Sequence, residues 1–176
     1  GKENLWLVGC RENIFTLCSS LSRCALSETR IMSEVAVQKK SFILRFGLDL
    51  CVFVQCGNQT RVLQHYWYTS WPDHKTPDSA MPLLQLMADV EADRRAAATT
   101  GPVIVHCSAG IGRTGCFIAT TIGCRQLQVE GVVDVLSITC QLRADRGGMI
   151  QTGEQYEFVH HALSLYEARV SAETGQ

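Results

Sequence analysis

A cysteine and an arginine stand at the two ends of a five-residue stretch in His106-Cys107-Ser108-Ala109-Gly110-Ile111-Gly112-Arg113-Thr114-Gly115. Upstream, Pro102-Val103-Ile104-Val105 reads as a short buried strand, and downstream residues 116–127 read as a helix. The stretch between them therefore joins a strand end to a helix N-terminus. There the unpaired amides of the first helical turn and the positive end of the macrodipole favour an anion. Gly110 and Gly112 can take positive φ and turn further amides inward. The expected product is a cradle for a dianion with a thiol at its rim.

The same field acts on Cys107. A free cysteine titrates at about 8.5, and at a helix N-terminus beside a cation its pKa falls to roughly 3.5–7.5. A fall to about 5.5 would raise the thiolate fraction at pH 7 from roughly 3% to about 97%, a gain of only ~2 kcal/mol. The remaining acceleration has to come from Arg113, whose planar fork binds two phosphoryl oxygens, from the loop amides, and from a proton donor for the leaving group. Trp71-Pro72-Asp73-His74, followed by Lys75-Thr76-Pro77-Asp78, offers that donor. Two prolines within six residues mark a loop, Trp71 gives it an apolar body that can pack on closure, and Asp73 would swing over the cradle.

The paired signatures VHCSAGIGRTG and WPDH resemble the phosphotyrosine-specific branch of the protein-tyrosine phosphatases. The resemblance implies that Cys107 attacks phosphorus to form a phosphocysteine and that Asp73 protonates the departing tyrosine oxygen. A phenolate with a conjugate-acid pKa near 10 leaves poorly unless protonated, so Asp73 must be held protonated above its usual value of about 3.9, and activity is expected to peak at mildly acidic pH. Gln151-Thr152-Gly153-Glu154-Gln155-Tyr156 resembles the family's glutamine loop, giving Gln151 the attacking water of the second step and Gln155 a supporting role. Thr114 matches the hydroxyl residue that bonds the sulfur and improves it as a leaving group. Ser108, Ala109, Gly110, Ile111 and Gly112 line the substrate cradle with Cys107, Arg113, Asp73 and Gln151, while His106 and Ser108 orient the thiolate and Trp71 supports the acid loop. No cofactor or metal is implied.

Ordinary structural roles compete with these. A cysteine between a strand and a helix is usually a small buried hydrophobe, and Cys116, Cys124 and Cys140 are read as core residues on helices. A Pro-Asp pair by itself is turn chemistry, and Gln151 and Gln155 by themselves would be helix-entry residues. His160 and His161 lack metal-ligand spacing and are read as structural. A nucleotide-binding loop would need Gly-Lys-Ser/Thr where Gly112 is followed by Arg113. Sulfur-transfer and arsenate-reducing enzymes also use cysteine cradles, but give no reason for a Trp-Pro-Asp loop thirty-four positions earlier.

A net charge of −1 argues against nucleic acid as the main partner, and 46% hydrophobic positions over 176 residues suffice for a core. Nine cysteines without paired close spacing form no disulfide or zinc framework, which fits a reducing, cytoplasmic setting. Asn58-Gln59-Thr60 matches the glycosylation triplet and is set aside as chance. Residues 48–55 and 61–68 read as a hairpin. Leu83, Leu86, Met87 and Val90 mark a helix with a Glu91–Arg95 pair. Val132, Val135, Leu136 and Leu142 mark another, closed by Arg146-Gly147-Gly148, and Tyr156, Val159, Leu163, Tyr166 and Val170 mark the last.

Alternation of strands and helices gives an α/β fold, and the resemblance implies a mixed sheet with helices on both faces. It covers residues 51–176, the C-terminal part of the family's catalytic domain, and leaves residues 1–50 as an unassigned segment in which residues 41–50 could form a strand. Starting at Gly1, the chain reads as a fragment whose N-terminal half-domain, including the loop whose tyrosine clamps the substrate ring, is missing. Residues 14–26 and 42–56 are interrupted by polar and charged positions and make poor membrane spans. Residues 64–74 and 116–120 look closest to the subgroup that docks on mitogen-activated protein kinases, making phosphotyrosine-containing proteins, and such kinases among them, the expected partners. The alternative is a truncated remnant that binds phosphorylated ligands without turnover.

Overall fold

The computed structural model describes residues 5–9, 35–44, 47–56, 59–68, 71–72, 75–96 and 103–174. Among these residues five strands form one sheet: β1 (Leu5–Gly9), β2 (Val35–Leu44), β3 (Gly47–Cys56), β4 (Gln59–Trp67) and β5 (Val103–His106). Their order is β2-β3-β4-β1-β5. The pairs β2/β3 and β3/β4 are antiparallel, whereas β1 runs parallel to both β4 and β5. Among the described residues four helices accompany the sheet: α1 (Met81–Ala96), α2 (Gly112–Glu130), α3 (Val135–Asp145) and α4 (Gly153–Thr174).

The expected hairpin is present, with Cys56 opposite Gln59 and Leu48 opposite Trp67. The expectation for residues 41–50 needs correction. Leu44 pairs with Gly47, so the chain reverses inside that segment and contributes to two antiparallel strands rather than one. The first fifty residues also supply β1, which sits between β4 and β5 and carries the parallel half of the sheet. β5 lies at the sheet's end in this order, with β1 as its neighbour, and is half-buried rather than buried.

Helix α1 buries Leu83, Leu84, Leu86 and Val90, with Met87 packed against that core. Its Glu91–Arg95 pair forms at 2.9 Å. The buried Tyr66 hydroxyl on β4 donates to Asp93 on α1, tying the helix to the sheet. Helix α3 begins three residues later than its apolar pattern suggested, because Asp134 caps it by accepting from the Ser137 amide at 2.8 Å. Val132 therefore precedes the helix, and both it and Leu136 are exposed. Cys116 and Cys124 are buried as expected, but Cys140 is exposed, lying off the face that buries Val135, Ile138 and Leu142.

Helices α2 and α4 approach closely at Gly123, where a Cβ would lie 2.7 Å from Leu163 Cδ2 and 3.2 Å from Val133 Cγ2. Leu163 makes this contact from α4 and is buried, as are Val159 and Ala162 on the same helix. Gly123→Ala should therefore cost about 1–3 kcal/mol of unfolding free energy in a urea titration through overpacking. Gly153→Ala, where a Cβ would meet no atom within 4 Å, should leave stability nearly unchanged. Equal losses in both variants would contradict the packing assignment.

Candidate active site

Strand β5 ends at His106 and α2 begins at Gly112, so Cys107, Ser108, Ala109, Gly110 and Ile111 form the link between them. Helix α2 starts without a side-chain cap, since Ile111 at its N-cap makes no such bond. The orphan amides of a helix start need an acceptor, and the Cys107 sulfur supplies one. Burial pushes the thiol up. The Thr114 hydroxyl and the amides of Thr114, Gly110 and Ile111 outweigh that and leave it below its ordinary value. Thr114 is itself buried.

Gly110 has φ +70 and takes the left-handed turn expected of it. Gly112 does not, and is needed for space instead. A Cβ there would lie 2.9 Å from Gln155 Nε2 and 3.4 Å from Gln151 Oε1. That close approach brings the glutamine loop against the cradle. Gln155 is buried; its side-chain Oε1 accepts from the Gln151 amide at 2.8 Å, and its own amide donates to Thr152 Oγ1 at 3.2 Å. The glutamine is thus both a helix-entry residue, in a variant of the capping box, and the brace of Gln151. Gln151 is exposed, with its side chain at the cradle's edge. Arg113 is half-buried at the second position of α2, while Ser108 and Ala109 are exposed.

Arg146 joins the site although the sequence marked it only as a helix end. Its Nε donates to the Gly110 carbonyl at 3.0 Å and its guanidinium to the Ala109 carbonyl at 3.2 Å. Drawing these carbonyls onto a cation leaves the loop's amides to face inward. The signal that could have found it is an arginine three residues after Arg143, immediately before two glycines. His106 is half-buried, and its ring stacks on that of His65 on β4, with centroids 5.7 Å apart. Burial lowers its pKa, partly opposed by a hydrogen bond to the Cys107 backbone.

Trp71 is buried and meets Tyr68 and Phe158 edge-on, at centroid distances of 5.7 and 5.3 Å. Its Nε1 donates to the Lys75 carbonyl at 2.9 Å, closing the base of the loop. Asp73 lies outside the described residues, as do Asn58, Gly101, Pro102 and residues 14–26. A cleft of about 770 Å³ lies away from the cradle, between α1, β5, α2 and α4, with Met87, Val103, Phe117 and Tyr166 among its walls. Among the described residues no cluster of three His, Cys, Asp or Glu side chains is placed to hold a metal, and no helix is long and apolar enough to cross a membrane.

The profile of the protein-tyrosine phosphatase family matches residues 27–165. The chain belongs to that family. The family match begins within the segment whose motifs were unassigned from sequence and includes β2. Human receptor-type tyrosine-protein phosphatase R is 77% identical over 120 residues, which are 68% of this chain and 18% of that protein. Rat tyrosine-protein phosphatase non-receptor type 5 is 58% identical over 144 residues, covering 81% of this chain and 39% of the relative. Human non-receptor type 7 is 58% identical over 120 residues, 68% of this chain and 33% of the relative. These relatives fall in the subgroup to which residues 64–74 and 116–120 pointed. The matched part thus spans well under half of each.

Two pH measurements follow for this phosphatase-family site. Alkylation of Cys107 by iodoacetate should reach half its limiting rate at a lower pH than an ordinary thiol, and Thr114→Val should move the profile back up; an unmoved profile would remove Thr114 from thiolate stabilisation. Burial pushes Cys116 and Cys124 up to about 12 from an ordinary 9.0, aided at Cys116 by the charge of Cys107 and opposed at Cys124 by Arg169. Their folded pKa values are raised, so the associated stability is present below pH 9 and is lost as pH rises from there towards 12. Unfolding free energy should fall across that window, less steeply in Cys116→Ala.

Proposed function

We propose that the chain hydrolyses phosphotyrosine in proteins through a phosphocysteine intermediate. The observation that carries this reading is Cys107 in the link that leads into the uncapped start of α2, with Gln151 and Gln155 brought against that helix start at Gly112. The thiolate attacks phosphorus, the S–P bond forms, and the P–O bond to the tyrosine breaks as Asp73 delivers a proton to the departing oxygen. Arg113 and the inward amides hold the equatorial oxygens, where charge accumulates. Water oriented by Gln151 then attacks phosphorus and gives its proton to Asp73. The S–P electron pair returns to sulfur, helped by Thr114.

The substrate class is phosphotyrosine-containing protein, with mitogen-activated protein kinases as the proposed partners and kinase signalling in the cytoplasm as the setting. Helices on both faces of the sheet, and a catalytic domain whose N-terminal part lies outside this chain, belong to the same proposal. A second reading, binding of phosphorylated ligands without turnover, is favoured by the small share of each relative that the match spans.

Release of phosphate from a phosphotyrosyl peptide by the reduced chain separates the two. Hydrolysis predicts release abolished in Cys107→Ser and reduced about 10²–10⁴-fold in Asp73→Ala, with a bell-shaped pH profile in the parent. Peptide binding with no release by a cooperatively folded parent would sink the enzyme reading.

A further inference from the structure

Ile150 is fully buried and β-branched, yet its φ is +57, in the left-handed region that such side chains avoid. Several restraints hold it there. Its amide donates to the Ile111 carbonyl at 3.1 Å. A Cβ on Gly115 would lie 2.5 Å from its nitrogen, so the turn presses directly on the first turns of α2. Arg143 adds a two-pronged grip, donating from Nε to the Met149 carbonyl at 2.9 Å and from its guanidinium to the Ile150 carbonyl at 2.8 Å.

We infer that Arg143 is a positioning residue for Gln151, fixing the left-handed step at Ile150 that aims the glutamine at the cradle. This rests on the hydrolytic reading above. The left-handed residue turns the chain so that the next amide, that of Gln151, meets Gln155 Oε1 and the Gln151 side chain reaches the cradle at Gly112. An isoleucine relaxed to negative φ would send the following residue along another path. Arg143 touches the glutamine turn, whereas Arg146 holds the cradle carbonyls. Removing Arg143 should therefore affect the step that uses Gln151, attack of water on phosphocysteine, and spare phosphorylation of Cys107.

Rapid mixing of the chain with p-nitrophenyl phosphate reads both steps. In Arg143→Ala the initial burst of nitrophenol should stay within about twofold of the parent. The following turnover should slow by about tenfold, and more phosphoryl groups should pass to added glycerol in place of water. Arg143→Lys, able to hold one carbonyl, should fall between. Equal loss of burst and turnover, or an unchanged glycerol share, would overturn the assignment. Amide hydrogen exchange gives a second reading: the Ile150 and Gln151 amides should exchange about tenfold faster in Arg143→Ala, with those of Phe117 and Ala119 unchanged. Unaltered exchange at Ile150 and Gln151 overturns the grip itself. A parent chain lacking both burst and turnover overturns the hydrolytic reading instead, and the exchange result still decides whether Arg143 holds the turn.

Discussion

The carbonyl oxygen of Ile111 accepts two hydrogen bonds, from the Gly115 amide at 3.0 Å and from the Ile150 amide at 3.1 Å. The first is the opening bond of α2, and the second fastens the glutamine turn to the same point. A single backbone bond contributes about 0.5–1.5 kcal/mol net, so two of them alone hold the junction only modestly. Close approach adds the rest. Glycine at 115 lets the Ile150 backbone come within reach of the helix start, and glycine at 112 leaves room for the two glutamines. The start of the helix behind the cradle and the glutamine turn therefore share one anchoring atom.

Three cysteines show how little the residue type decides. Cys107 and Cys116 both lose solvent, and burial acts on both in the same direction. Cys107 ends below its ordinary value because a hydroxyl and several amides converge on its sulfur. Cys116, whose Sγ lies 3.8 Å from the Gln155 carbonyl, meets an acceptor, which cannot stabilise a thiolate. Cys124 is likewise held as a thiol. The difference is the direction of the surrounding dipoles, and that direction follows from where a helix begins.

The described part of the loop after β4 is anchored at Trp71. Trp71 packs between Tyr68 and Phe158 and closes on Lys75, while the Tyr66–Asp93 bond ties α1 to β4 beyond it. Because Phe158 belongs to α4, the same helix that begins beside the glutamines also carries the wall on which Trp71 rests.

The candidate site was legible in local sequence wherever neighbours in the chain are neighbours in space. Cys107 and the loop glycines lie within a few residues of the helix start, so their spacing already implied the cradle, and Gln151 and Gln155 already read as helix-entry residues. The helices at residues 81–96 and 153–174 were visible from the period of their apolar positions. The sequence did not reveal that β1 sits between β4 and β5, that residues 41–50 split between two strands, or that Cys140 faces outward. Nor did it reveal that Arg143 and Arg146 reach two separate stretches of backbone. Those features depend on which surfaces meet across tens of residues, where carbonyls need donors and a missing Cβ allows close approach. Local pattern determined the reactive loop and its helix; tertiary packing decided what holds that loop in shape, because its supporting hydrogen bonds come from residues far along the chain.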